Sequence, residues 1–268
     1  MPSMLEQLYG QFALPLSIEG MGLLILCVAS VAIVVTLGRR ELSRDLDARR
    51  TLLDTAAGLL DDARVSIGAD GYPRLVGNSG GNRVSIEIVA DSLVPRRLPQ
   101  LWLKLAMLTP QACERPSIGV LARPFGTEFY SRVLGLPDTI APPFTADFSL
   151  LARGRDVTAA TIERTSGLFR TLFSDPALKE AIITPRGAGL VRQIAEGDRG
   201  AHVLYRQMRF PVSQVPADMV RNALTELRLL NDALGDEARP ASMAAPSMAM
   251  SGATSGPTSG DAQNPIAA

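Results

Sequence analysis

The sequence predicts an α+β protein in which a single N-terminal transmembrane helix precedes one soluble domain, with an antiparallel or mixed sheet packed by helices. Three observations carry this. Gly20 to Gly38 holds no charged residue. Val84, Ile86 and Ile88 alternate with Arg83, Ser85 and Glu87, the period of a half-buried strand. Met219, Val220, Ala223, Leu224, Leu227 and Leu230 recur at helical spacing, with Arg221, Glu226 and Arg228 off that stripe. Strands come first, then helices, a hairpin and a last helix, an order that suggests helices packed on one sheet face.

Residues 1–19 read as a short extracytoplasmic segment that lies in the outer interface through Leu5, Leu8, Tyr9 and Phe12. The run over 20–38 follows. As a helix it is ~28 Å long at ~1.5 Å per residue, which just spans a bilayer core ~30 Å thick. Its Leu, Ile and Val residues favour insertion by ~0.3–0.6 kcal/mol each, ~3–6 kcal/mol together. No Lys or Arg precedes it, whereas Arg39, Arg40, Arg44, Arg49 and Arg50 follow. The positive-inside rule then places the N-terminus outside and the C-terminal domain in the cytoplasm. A cleaved signal peptide, with Ser30-Val31-Ala32 as the site, is the rival reading. It lacks a basic start, and the apolar run continues past that site to Leu37.

Residues 39–63 read as a juxtamembrane helical stalk. Leu42, Leu46, Leu53 and Leu60, with Arg49 and Ala56, fall near a 3.5-residue repeat, which a homodimer through the stalk would use. Arg49 is a poor seam residue, so packing of these leucines on the following domain is the better account. The soluble α+β domain occupies 64–235. A hairpin is expected around Gly77 to Asn82, then a buried strand over Leu101 to Leu108 and further strands at Ser117 to Ala122 and Asp147 to Ala152. Pro124 to Pro143, rich in Pro, Gly and aromatics, reads as a structured loop over a sheet face. A helix should run from about Asp156 to Phe173. Asp175-Pro176 should start a short one that stops before Pro185. A second hairpin is expected from Leu190 to Glu196, through Gly197 to Gly200, and back from Ala201 to Phe210. The last helix should start near Pro216 and end at Gly235 as a left-handed cap. Residues 236–268, an Ala/Ser/Met/Gly/Pro-rich tail with almost no charge, read as disordered.

Lys+Arg 27 balances Asp+Glu 27, so no global basic field attracts nucleic acid, and none is expected as partner. Only Lys104 and Lys179 are lysines; the arginine bias fits a GC-rich bacterial genome better than it fits phosphate recognition. Cys27 falls in the membrane run and Cys113 in the domain, which implies no disulfide framework. His202 is the single histidine, so a zinc site built from several His and Cys is excluded. No cofactor is implied: Gly187-Ala188-Gly189 lacks the rest of a dinucleotide fingerprint, and no Walker-type loop occurs.

Gly77-Asn78-Ser79-Gly80-Gly81 matches the G-x-S-x-G elbow of hydrolases, with Asp138, Asp147, Asp156 and His202 following in the chain order of a triad. The segment after Ser79 alternates like a strand where the elbow needs a helix, so a hairpin turn accounts for it better. Arg192, Arg206 and Arg209, with Arg199 in the turn, are the candidate binding residues. On one hairpin they would form a basic strip for phosphate or an acidic partner. No motif carries a resemblance to a named family. The leading expectation is a single-pass protein of a bacterial inner membrane that presents a non-enzymatic binding or scaffold domain to the cytoplasm and docks a protein partner. The alternatives are a tethered hydrolase using Ser79 or converging carboxylates, or a small-ligand or lipid sensor.

Overall fold

The computed structural model describes residues 18–92, 97–205 and 207–235. The readings of residues 1–17, of Arg206 and of the 236–268 tail lie outside the described residues. The first element, α1 (Ile18–Arg50), is one helix of 33 residues, ~50 Å long at ~1.5 Å per residue. From Met21 to Arg44 every residue is exposed. This helix is long and apolar enough to cross a membrane by length and composition. The two hydroxyls of its apolar run are satisfied internally, with Ser30 Oγ donating to Leu26 O at 2.8 Å and Thr36 Oγ1 to Ile33 O at 2.9 Å.

The stalk is shorter than expected. α1 stops at Arg50, α2 is only Asp54–Ala57, and β1 has begun at Asp61. Leu52, Leu53, Ala56 and Leu60 are buried in the domain core, while Leu42 stays exposed. Their burial outweighs helix propensity and bends the chain into the domain. Val215 N donates to Leu52 O at 2.9 Å and Thr55 Oγ1 to Val215 O at 2.7 Å, which ties the junction to the segment before the last helix.

Among the described residues nine strands form a single sheet: β1 (Asp61–Ile67), β2 (Pro73–Ser79), β3 (Asn82–Asp91), β4 (Gln100–Leu108), β5 (Ser117–Ala122), β6 (Asp138–Ile140), β7 (Leu150–Arg155), β8 (Leu178–Thr184) and β9 (Gly187–Glu196). Their order is β1-β2-β3-β4-β9-β8-β5-β7-β6, and all the pairings described are antiparallel. The edges are blunted, at one side by the fully exposed, charge-bearing β1 and at the other by the short β6. The first hairpin turns on Gly80 and Gly81 alone, with φ of 58° and 79°. A two-residue turn with positive φ at both positions matches the twist of the flanking strands.

One sheet face packs on helices. Leu75, Val84, Ile86, Leu103, Leu105 and Leu190 lie in the main core with Phe169 of α3 (Ala159–Leu172) and Val220, Leu224 and Leu227 of α5 (Ala217–Asp232). Thr158 caps α3, its hydroxyl accepting from Thr161 N at 3.2 Å in a reciprocal capping box. α5 ends on Ala233 in a right-handed conformation; Gly235 is not the left-handed cap expected, since its φ is not positive.

Two expected elements are replaced. Asp175-Pro176 begins no helix. The Asp175 carboxylate accepts Ala177 N at 2.8 Å, closing a turn, and the chain enters β8, which is buried along nearly its whole length. Pairing on both sides, with β5 and β9, overrides the helix-forming run Leu178 to Ala181. The expected second hairpin does not form: Leu190 to Glu196 is the end of β9, whose hairpin partner is β8. Pro185-Arg186 joins those two strands, and the segment expected to return as a strand is instead α4 (Arg199–Tyr205).

The other sheet face is covered by the first part of the 124–143 segment, through Tyr130 and Val133, while Asp138–Ile140 of the same segment joins the sheet as β6 and is no loop. Tyr130 packs on Trp102 with ring centroids 5.5 Å apart, and Val133 joins Leu121 and Ile182. The buried Glu180 carboxylate accepts Arg132 N at 3.0 Å and the Ser131 hydroxyl, pinning the segment down. Burial holds the Glu180 carboxyl above its ordinary range, and these donors only partly offset it.

Candidate functional site

The end of the sheet where β3 and β9 finish and β4 and β8 begin opens into a cleft of about 1000 Å³. Its floor is Trp102 on β4 and Gln193 on β9, which pair across the strands. One wall is the Arg123–Tyr130 stretch of the covering segment; the other is α4, through Arg199, His202 and Val203. Arg97, just before β4, sits on the rim.

The wall is built around a buried ion pair. Lys179 is 3% exposed and Glu128 2%. The Lys179 ammonium donates to the Glu128 carboxylate at 2.9 Å and to Arg123 O at 2.7 Å. Glu128 also accepts Phe125 N at 2.7 Å and Gly126 N at 2.9 Å, so both carboxylate oxygens are engaged. Burial pushes the Glu128 carboxyl up, but Lys179 and the backbone donors outweigh it and hold it below the usual carboxylate range. Burial lowers the Lys179 ammonium more than Glu128 restores it. Burial, with the charges of Asp91, Glu128 and Glu180, drives the Tyr130 phenol far up, so it stays protonated at neutral pH.

The remaining cations of the cleft find no carboxylate among the described residues. Arg97 lies over the Phe125 ring, its guanidinium carbon 3.8 Å from the centroid. Arg123 donates to the carbonyls of Pro176 at 2.6 Å and Leu178 at 3.4 Å. Arg199 makes no hydrogen bond or ion pair among the described residues. The indole N–H of Trp102 and the Nδ1 of His202 are buried, and neither has a hydrogen-bond partner among the described residues. A buried donor without an acceptor costs about 1–3 kcal/mol, so Trp102 marks a place where an acceptor is missing. Three carboxylates line the cleft: Glu128, bonded to Lys179; Glu196, bonded to the side-chain amide of Gln100 at 3.2 Å; and the buried Asp91. The described lining thus sets Arg97, Arg123, Lys179 and Arg199 against Asp91, Glu128 and Glu196, a small excess of positive charge, with Arg97 and Arg199 the cations that no carboxylate holds among the described residues.

The four arginines singled out in the sequence do not form a strip. Arg192 lies on the helix-packed face of β9, bonded to Glu226 at 2.7 Å and Asp175 at 3.1 Å. Arg199 lines the cleft, on a helix. Arg209 reaches α1, pairing with Glu41 at 3.1 Å and Asp45 at 3.7 Å. Arg206 lies outside the described residues. The strip required Ala201 to Phe210 to be a strand.

Nor do Ser79 and His202 meet. Ser79 ends β2, where it pairs with Asn82 and accepts a hydrogen bond from Arg228 at 2.6 Å. The 10 residues of β3 separate that hairpin from the cleft, ~30 Å at ~3.3 Å per residue. Asp138, Asp147 and Asp156 are all exposed beyond the opposite side of the sheet, on or beside β6 and β7. Among the described residues no group of three or more His, Cys, Asp or Glu side chains is placed to hold a metal ion.

Arg97, Trp102, Arg123 and Lys179 went unremarked as site residues in the sequence. Trp102 and Lys179 read there as strand and helix core, and only the tertiary fold draws them together. The one available signal was the rarity of both: a sole tryptophan and one of just two lysines. No protein-family model, curated protein or solved structure matches the chain.

Proposed function

We propose that this protein is a single-pass protein of a bacterial inner membrane, N-terminus outside, whose cytoplasmic domain binds an anionic ligand in the cleft. It acts as a tethered binding module, not as a hydrolase built on Ser79. One observation carries the ligand class: Arg97 and Arg199, which no carboxylate holds among the described residues, line the same cleft as Trp102, whose buried indole N–H has no acceptor there. Guanidinium groups suit carboxylate or phosphate oxygens because their N–H donors match them in pairs. Support for the tether comes from the exposed apolar length of α1 and from the arginines that follow it on one side only.

The test uses the full chain in detergent, with Trp102 as its own reporter, since it is the sole tryptophan. Titration with sn-glycerol 3-phosphate, and separately with citrate, should change its emission and saturate. In Arg97→Gln/Arg199→Gln the response should weaken at least tenfold. No response to either anion would sink the reading.

A protein partner is the second reading, and Phe125 and Phe129, which are exposed on the covering segment, favour it. Phe129→Ser should then abolish a specific partner recovered by cross-linking in native membranes. A stalk homodimer has less to draw on, because Leu53, Ala56 and Leu60 are already used inside the domain.

A further inference from the structure

We propose that the anion held by the cleft is the phosphate of an anionic phospholipid head group, taken from the same bilayer that α1 crosses. The proposal rests on the anion-binding reading above and adds the source of the anion. Position argues for it first. Arg209 pairs with Glu41 at 3.1 Å, and Glu41 lies just past the apolar run, ~4.5 Å along the helix from Gly38. The carbonyl of Arg209 accepts Asp198 N at 2.7 Å, and Asp198 immediately precedes α4. Two short links therefore run from the end of the membrane run to Arg199 at the mouth of the cleft.

Surface chemistry argues for it second. α4 exposes adjacent large apolar side chains, Val203 at 63% and Leu204 at 72%. Val203 lines the cleft, and Leu204 beside it in the chain lines the adjoining hollow formed with Asp198, Arg209 and Phe210, the link to the helix. Solvated, such residues gain nothing; at a head-group boundary they rest on acyl chains while the arginines meet phosphate. Each arginine near an anionic leaflet contributes about fivefold in affinity, so Arg97 and Arg199 together contribute roughly 25-fold. A soluble phosphate compound would use the same donors but would have no use for the apolar flank.

The experiment reconstitutes the full chain into vesicles of phosphatidylcholine alone, or of equal parts phosphatidylcholine and phosphatidylglycerol. Trp102 emission and its quenching by aqueous acrylamide are read. With phosphatidylglycerol, the emission should shift and the quenching fall. Both changes should vanish in Arg97→Gln/Arg199→Gln, and Val203→Gln/Leu204→Gln should weaken them. An identical signal in the two vesicle types overturns the lipid assignment. If sn-glycerol 3-phosphate then shifts Trp102 in phosphatidylcholine vesicles, the cleft takes a soluble anion and only this inference falls. If neither that compound nor citrate does so, the anion reading falls as well. A phosphatidylglycerol response that survives in the arginine variant arises outside the cleft, and also overturns the proposal.

Discussion

Lys179 and Glu128 are the residues whose pairing shapes the cleft wall, and their energetics follow from burial. Two buried charges gain little over an apolar pair, yet removing one partner leaves the other stranded, at a cost of about 3–5 kcal/mol. Lys179→Met should therefore lower stability by about that amount in urea unfolding, while Lys179→Met/Glu128→Gln recovers part of it. The pH dependence has a defined sign. The folded-state pKa of Glu128 lies below the ordinary ~4.3, so its contribution is complete above that value and is lost as pH falls through the folded pKa. Glu180 behaves oppositely. Its folded-state pKa is raised, so the folded protein holds that proton longer, and stability declines as pH rises from ~4.3 through the folded value. Melting curves across this range should show the decline in the native chain and lose it in Glu180→Gln, whereas the acid loss should remain in that variant. Little of this was legible in sequence: Lys179 and Glu180 sit where helix propensity is high, and nothing local reveals that Glu128, Ser131 and Arg132 await them across the sheet face.

Among the elements, two glycine positions decide how the sheet is shaped. Gly81, at φ 79°, closes the first hairpin in a conformation that costs other residues about 1–2 kcal/mol. A Cβ there meets nothing within 4 Å, so the penalty is one of backbone alone. Gly81→Ala should destabilise by about 1 kcal/mol in urea unfolding and leave Trp102 emission unchanged. Gly119 is different. Its φ is ordinary, but an added Cβ would come within 2.6 Å of Val133 on the covering segment. Gly119→Ala should lift that segment from β5, cost about 1–3 kcal/mol, and alter Trp102 emission through the displaced Tyr130. The hairpin was legible because its signal is local, a glycine pair between alternating strands. The β8–β9 hairpin was missed because Pro185, which opens its turn, equally well ends a helix. The short α4 was missed for a related reason: Gly197 to Gly200 reads as a turn and Ala201 to Tyr205 as the start of a returning strand, but β9 already pairs with β4 and β8.

For the molecule as a whole, the main division is between a fully exposed apolar helix and a domain that buries its own leucines. A span of this kind should stay in the membrane pellet through alkaline carbonate extraction, and it should be released if Leu26 and Val31 are both changed to Arg. Each such charge at a helix centre costs about 2.5–3.5 kcal/mol on insertion scales, comparable in sum to the whole apolar gain of the run. A phosphatase reporter fused after Ala268 should be inactive in cells, and a cytoplasmic one active. The reverse pattern would overturn the proposed orientation. What the sequence determined unaided was the apolar run, the strand alternation and the final amphipathic helix, since each is written as a period along the chain. The tertiary structure alone decided that the strands join in one antiparallel sheet, that Arg192 and Arg209 are used internally, and that Arg97, Trp102, Lys179 and Arg199 converge. Such convergence arises from pairing between segments far apart in the chain, and neither periodicity nor propensity carries that information.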